Sequence, residues 1–157
     1  MTNQKPLDLL SLGKTLWDTW RREYRDVQAS EPDLHEADLH GTDLRGADLH
    51  AADLTEANLQ GADLREADLR EADLRNANLR SANLSGANLL KARLGWAGLR
   101  GTNLCCANLK GADLRGADLE GAILEGVILG KTIFDEATLS RADLRGVGLH
   151  KADVKIS

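Results

Sequence analysis

Aromatic residues are nearly absent from this chain of 157 residues, at 3% of the total. A globular core of that size ordinarily draws much of its volume from Phe, Tyr and Trp. Here the volume has to come from Leu and Ala, so a narrow, regular core is expected. A strong excess of one charge is also lacking. The formal net charge of −5 is a weak acidic bias that argues against a broad basic face, and no direct nucleic-acid binding is expected. Cysteine is scarce, and Cys105 and Cys106 are adjacent. Adjacent cysteines do not staple a fold, which points to a reducing compartment. Long hydrophobic runs are missing too. Pro6, Asp8, Gly13, Lys14 and Asp18 interrupt the stretch a signal peptide would need, and no segment suits a membrane span. The expected location is cytoplasmic.

What is present is repetition. From Pro32 a period of five runs without a slip. Its central position reads Leu34, Leu39, Leu44, Leu49 and onward to Leu149, with only Phe134 and Val154 departing from Leu. Two residues earlier stands a small residue, as in Ala37, Thr42, Ala47 and Ala52, and between them usually Asp or Asn. The unit is A-(D/N)-L-x-x. A period of five fits neither a helix face nor a flat strand. It fits a strand of three and a corner of two, with Ala and Leu inward and Asp or Asn outward. Glycine at the last position, as in Gly41, Gly46 and Gly116, supplies the positive φ a tight corner needs.

Repeated A-(D/N)-L-x-x units from Pro32 to Val154 resemble the pentapeptide repeat family. The resemblance implies an all-β solenoid, a right-handed quadrilateral β-helix with four repeats per coil and positions 20 apart stacked. About 25 units would make about six coils, a rod about 30 Å long at the usual spacing between strands.

Residues 1–30 read as a separate N-terminal α-helical cap ahead of a β-helix over 31–157. Leu9, Leu10, Leu12, Leu16, Trp17, Trp20, Tyr24 and Val27 fall on one face of a helix over 7–28. Asp8, Lys14, Asp18, Arg21, Arg22, Arg25 and Asp26 fall on the other. Ser30-Glu31-Pro32 ends it. A solenoid must cover its open end, and such a helix can do so. Docking to a membrane surface is the less favoured reading.

Nothing in the pattern suggests catalysis. The carboxylates belong to the repeat and would form solvated ladders on a convex surface. His35, His40, His50 and His150 would point from different faces, and Cys105 and Cys106 lack the spacing of a zinc site. No enzyme activity, cofactor or metal is expected. In the outward column Asp33, Asp53, Asp73, Arg93, Asp113, Arg93 would relieve repulsion between stacked acids. The pattern loosens at Leu90 and Trp96, on corners, and at Ile123, Ile128 and Ile133, which take the place of Asp or Asn. Stacking would gather Leu90, Trp96, Ile128 and Ile133 around one edge, with Gly116 leaving room for the indole. Together with Ile123 they are the candidate partner patch, since exposed apolar residues can mark a contact.

The expected function is a non-catalytic binding or scaffold protein presenting a rigid surface to an unknown macromolecular partner. The resemblance raises a second reading, because some relatives mimic DNA toward type II topoisomerases. Interleaved acids and bases across the array, and the lack of a break for a protruding loop, argue against it. A membrane-peripheral role through the N-terminal helix is a third. The last coil would present Leu139, Leu144, Leu149 and Val154 as an edge inviting a tail-to-tail homodimer. Relatives pair this way, whereas Lys151, Asp153 and Lys155 place charges that oppose it.

Overall fold

The computed structural model describes residues 6–23 and 31–148. Tyr24, Val27, Leu149, Val154 and His150 lie outside the described residues.

From Asp33 onward every parallel bridge joins a residue to the one 20 positions later: Asp33 to Asp53, Asp53 to Asp73, Asp73 to Arg93, and on to Ile123 with Asp143. With five residues per unit this is four units per coil. The bridging residues define four faces: A (Asp33 to Ile133), B (Asp38 to Thr138), C (Asp43 to Asp143) and D (Asp48 to Ile128). The strands are shorter than three paired residues. Each face has one isolated bridge per coil, because the corner begins immediately after the Leu.

A unit with Asp or Asn at its outward position places all five backbone N–H groups, as the one at 53–57 shows. Asp53 N donates to Pro32 O, Leu54 N to Asp73 O, Glu56 N to Arg75 O, and Ala57 N closes the corner onto Leu54 O, at 2.8 to 3.1 Å. The fifth, Thr55 N, donates to Asp53 Oδ1 at 3.0 Å. The outward Asp or Asn is therefore a structural acceptor as well as a solvated group, in the manner of an Asx turn. The third residue of each corner turn has φ near +60°, as in Glu56 at 59° and Gly61 at 67°, the conformation of a type II turn. Glycine takes it without strain, yet Glu, Lys, Trp and Cys occupy it too.

The core is a stack of leucines and alanines, with residues such as Leu54, Leu79, Leu99, Ala57 and Ala87 fully buried. Each buried Leu contributes about 1.5–3 kcal/mol before chain entropy is subtracted. Thr102 takes an inward Ala position and donates its hydroxyl to Leu79 O at 2.7 Å, so it leaves no orphaned polar group.

The N-terminal segment is two helices, α1 (Pro6–Ser11) and α2 (Lys14–Glu23), not one over 7–28. Gly13, at φ 118°, separates them. The expected sidedness is also corrected. Leu9, Leu10 and Trp17 are buried, and Trp20 packs partly against the core. Leu12 and Leu16 are exposed, and the polar residues Asp18 and Arg21 face the solenoid. The reason lies in what the first coil offers. In later coils an outward N–H donates to the coil below, as Asp68 N does to Ala47 O. In the first coil Asp48 N donates to Asp18 Oδ1 at 3.2 Å. Trp17 Nε1 donates to Asp48 O at 2.7 Å, and Arg21 Nη2 to His50 O at 2.6 Å. Side chains of α2 thus take the place of backbone on face D.

Candidate interaction face

Face A changes character along its length. Asp33, Asp53 and Asp73 stack in the first coils, followed by Arg93, Asp113 and Ile133. Asp73 accepts from Arg75 Nε at 2.8 Å and Nη2 at 2.7 Å, while Arg93 Nη1 reaches it at 3.4 Å. Burial raises the carboxyl pKa of Asp73, but the bonds from Arg75 and the nearby Arg93 outweigh this and leave it lowered. Asp113 is lowered by its bond from Arg115, against burial, with help from Arg93. Arg93 therefore touches the column at Asp73 but is not its main support, since Asp73 and Asp113 each have an arginine two residues on. Its side chain is 64% exposed.

The corner between faces A and B carries Trp96, in the positive-φ position at 60°. Its ring lies across Gly116 one coil above: a Cβ on Gly116 would stand 2.5 Å from Trp96 Cε3. The indole is 64% exposed. Leu90, half-buried, occupies the other edge of face A, next to Lys91. Stacking therefore places Leu90 and Trp96 on opposite edges of face A, with Arg93 between them, rather than around one edge. Ile133 lies on face A two coils above Arg93, about 10 Å away at the usual strand spacing. Ile128 belongs to face D, beside the Leu90 edge, and Ile123 to face C. They are 55% and 38% exposed, and Ile123 does not join the others. Arg93, Ile123, Ile128 and Ile133, with Gly98 on face B, all lack the acceptor that Asp or Asn gives the corner.

Several arginines elsewhere are neutralised locally. Arg45, Arg65, Arg70, Arg115 and Arg145 each pair with the Asp two residues before. The bond from Arg45 holds the Asp43 carboxyl down at about 2, so it carries no proton near neutrality. His35, His40 and His50 sit on three different corners, with His35 and His40 bonded to Thr55 O and Gln60 O one coil above. The sulfurs of Cys105 and Cys106 are 3.7 Å apart, a weak thiol–thiol hydrogen bond and not a disulfide. Contact with Cys106, burial and the nearby Glu125 and Asp143 raise the Cys105 pKa and disfavour a thiolate. Among the described residues no group of three or more His, Cys, Asp or Glu could hold a metal, and no helix is long and apolar enough to cross a membrane. An open depression of about 650 Å³ lies between Gly13–Lys14 and Asp43, Arg45, Gly46, Arg65 and Glu66. Its arginines are already paired with Asp43 and Asp63.

One feature of the array was missed by a charge count taken over its whole length. Residues 31–73 hold thirteen carboxylates against three basic side chains, whereas residues 74–112 hold six basic side chains and no carboxylate. Counting charge coil by coil would have found it.

The pentapeptide-repeat family model matches residues 33–70, 62–97, 92–130 and 129–155. The chain belongs to the pentapeptide repeat family. The family's right-handed quadrilateral β-helix agrees with the 20-residue stacking. A pentapeptide repeat protein, Rfr23, from the cyanobacterium Cyanothece 51142 is 32% identical, with 80% of this chain and 92% of that one covered at a TM-score of 0.60. HetL, from the cyanobacterium Nostoc sp. strain PCC 7120 and involved in regulating heterocyst differentiation, is 33% identical over 80% of this chain and 76% of that one, at a TM-score of 0.35. QnrB1, a plasmid-mediated fluoroquinolone resistance protein, is 22% identical over 80% of each chain at 0.31. No curated protein matches the chain.

Proposed function

We propose that this pentapeptide repeat protein is a non-catalytic binding protein that offers face A, around Leu90, Arg93 and Trp96, to a macromolecular partner. The observation that carries the reading is the break in the outward pattern. Where Asp or Asn would complete the corner, the chain places Arg93, Gly98, Ile128 and Ile133 and gives up a hydrogen bond worth about 0.5–1.5 kcal/mol at each. A large exposed indole stands in the same region. Trp and Arg together are the commonest anchors of protein interfaces. The α1–α2 segment serves as the N-terminal cap, by supplying Trp17, Asp18 and Arg21 to backbone groups of the first coil.

A tagged full-length chain tests this by capture from the native cells. Trp96→Ala should reduce the retained partner about tenfold or more, as expected of an anchor. Glu56→Ala, on the same corner two coils below, should leave it unchanged. Equal retention by both variants would refute face A as the binding surface. The C-terminal homodimer belongs to the same proposal. Leu139 and Leu144 pack only partly against the core, and sedimentation at micromolar concentration decides the oligomeric state.

A further inference from the structure

The geometry points to an acidic protein segment as the occupant of face A, one that sets Asp and Glu side chains around a single apolar anchor. This deepens the face A reading and depends on it. The argument is one of uncompensated charge. Elsewhere a base after Leu is answered by the Asp two residues before it, as in Asp63–Arg65 and Asp68–Arg70. In the acid-free coils that position is Asn or Gly: Asn78 before Arg80, Gly98 before Arg100, Asn108 before Lys110. Arg100 is answered from the coil above by Glu120 at 2.7 Å. Lys91 has Glu71 at 4.0 Å, and Arg93 lies between Asp73, which Arg75 already holds, and Asp113, which Arg115 holds. Arg80 and Lys110 have no ion-pair partner among the described residues. Around face A the chain therefore leaves Lys110 unpaired and Lys91 and Arg93 weakly paired, positive charge to be met from outside, while Arg80 lies on the corner between faces B and C.

The size of this basic zone selects among anions. It spans two coils, about 10 Å at the usual spacing between strands. A nucleic acid or an anionic bilayer lying along face A would meet Asp33 and Asp53, neither of which has an arginine two residues on, as well as Asp73 and Asp113, which do. Those carboxylates lie within about one or two screening lengths at physiological salt, about 8 Å each. A short acidic patch centred on Arg93 meets only Asp73 and Asp113, each already held by its own arginine, and stops short of Asp33 and Asp53. The indole at 64% exposure gives it an apolar contact to bury, with the half-buried Leu90 on the opposite edge of face A.

The experiment places p-benzoylphenylalanine at position 76, on the corner below Trp96, in the full-length chain in its native cells. After irradiation, the crosslinked peptide is sequenced by mass spectrometry. The expected adduct is a protein segment rich in Asp and Glu. Its yield should fall several-fold when the lysate is irradiated at high rather than low salt. It should also fall in an Arg93→Gln, Lys110→Gln background whose circular dichroism matches the parent. A neutral or basic crosslinked segment, or an adduct to nucleic acid or lipid, overturns the acidic partner while leaving face A as a docking surface. No adduct at position 76 overturns both.

Discussion

Residues 31–73 and 74–112 share one backbone pattern and one core, yet differ in nearly everything they show to solvent. The first stretch carries thirteen carboxylates and three basic side chains, the second six basic side chains and none that are acidic. Leu54 and Leu99, from the two stretches, are both fully buried, and the corners at Glu56 and Trp96 both have φ near 60°. The difference teaches that inward positions specify the fold while outward positions are free to specify contacts. That freedom is incomplete, because the outward Asp or Asn also accepts a corner N–H. A departure from it therefore carries a structural cost, which falls nowhere in the first stretch, at Arg93 and Gly98 in the second, and at residues such as Ile123, Ile128 and Ile133 beyond it.

If the two stretches share one scaffold, their cores should be equally sensitive. Leu54→Ala and Leu99→Ala should each destabilise the protein by about 2–5 kcal/mol in urea denaturation. A cost for Leu99→Ala several-fold below that of Leu54→Ala would show that the acid-free coils are not held as the acidic ones are.

The corners should diverge next. Gly61 and Gly116 share a φ of 67°, but Gly61 has open space where a Cβ would go and Gly116 has the Trp96 ring. Gly61→Ala should cost about 1 kcal/mol through backbone strain alone. Gly116→Ala adds displacement of the exposed indole, for a total of about 2 kcal/mol, with a red shift in tryptophan emission. Equal costs and unchanged emission would mean that the ring does not rest on Gly116.

The smallest expected effect is at Arg93. Arg93→Glu should destabilise the protein more than Arg93→Ala, by no more than about 1 kcal/mol and with a correspondingly lower melting temperature, because it adds a carboxylate between Asp73 and Asp113. Identical melting temperatures would remove the charge ladder from the account.

The fold was legible because a strict period of five reports which residues face inward. The 20-residue coil was not in the period itself and came from resemblance to the family. Two features lay beyond the pattern for a physical reason. Asp53 and its equivalents looked like solvated side chains, since hydropathy does not show that a corner N–H needs an acceptor. Asp18 and Arg21 were placed on the solvent side of the helix by the same logic. The open end of a β-coil, however, is a row of unpaired N–H and C=O groups, and polar side chains bond to it. Of the candidate patch, Leu90, Trp96 and Ile133 border one face as their 20-residue columns dictate, whereas Ile123 belongs to another.

The central claim is that the acid-free stretch, not the acidic one, is where the partner binds. Positions 36 and 76 test it best, because they lie on the same corner column two coils apart, with φ of 56° and 59°, and differ in the charge around them. p-Benzoylphenylalanine at each position, irradiated in native cells, gives a yield of partner adduct for each stretch. The account predicts a several-fold higher yield at position 76 than at position 36, and an equal or higher yield at position 36 would contradict it.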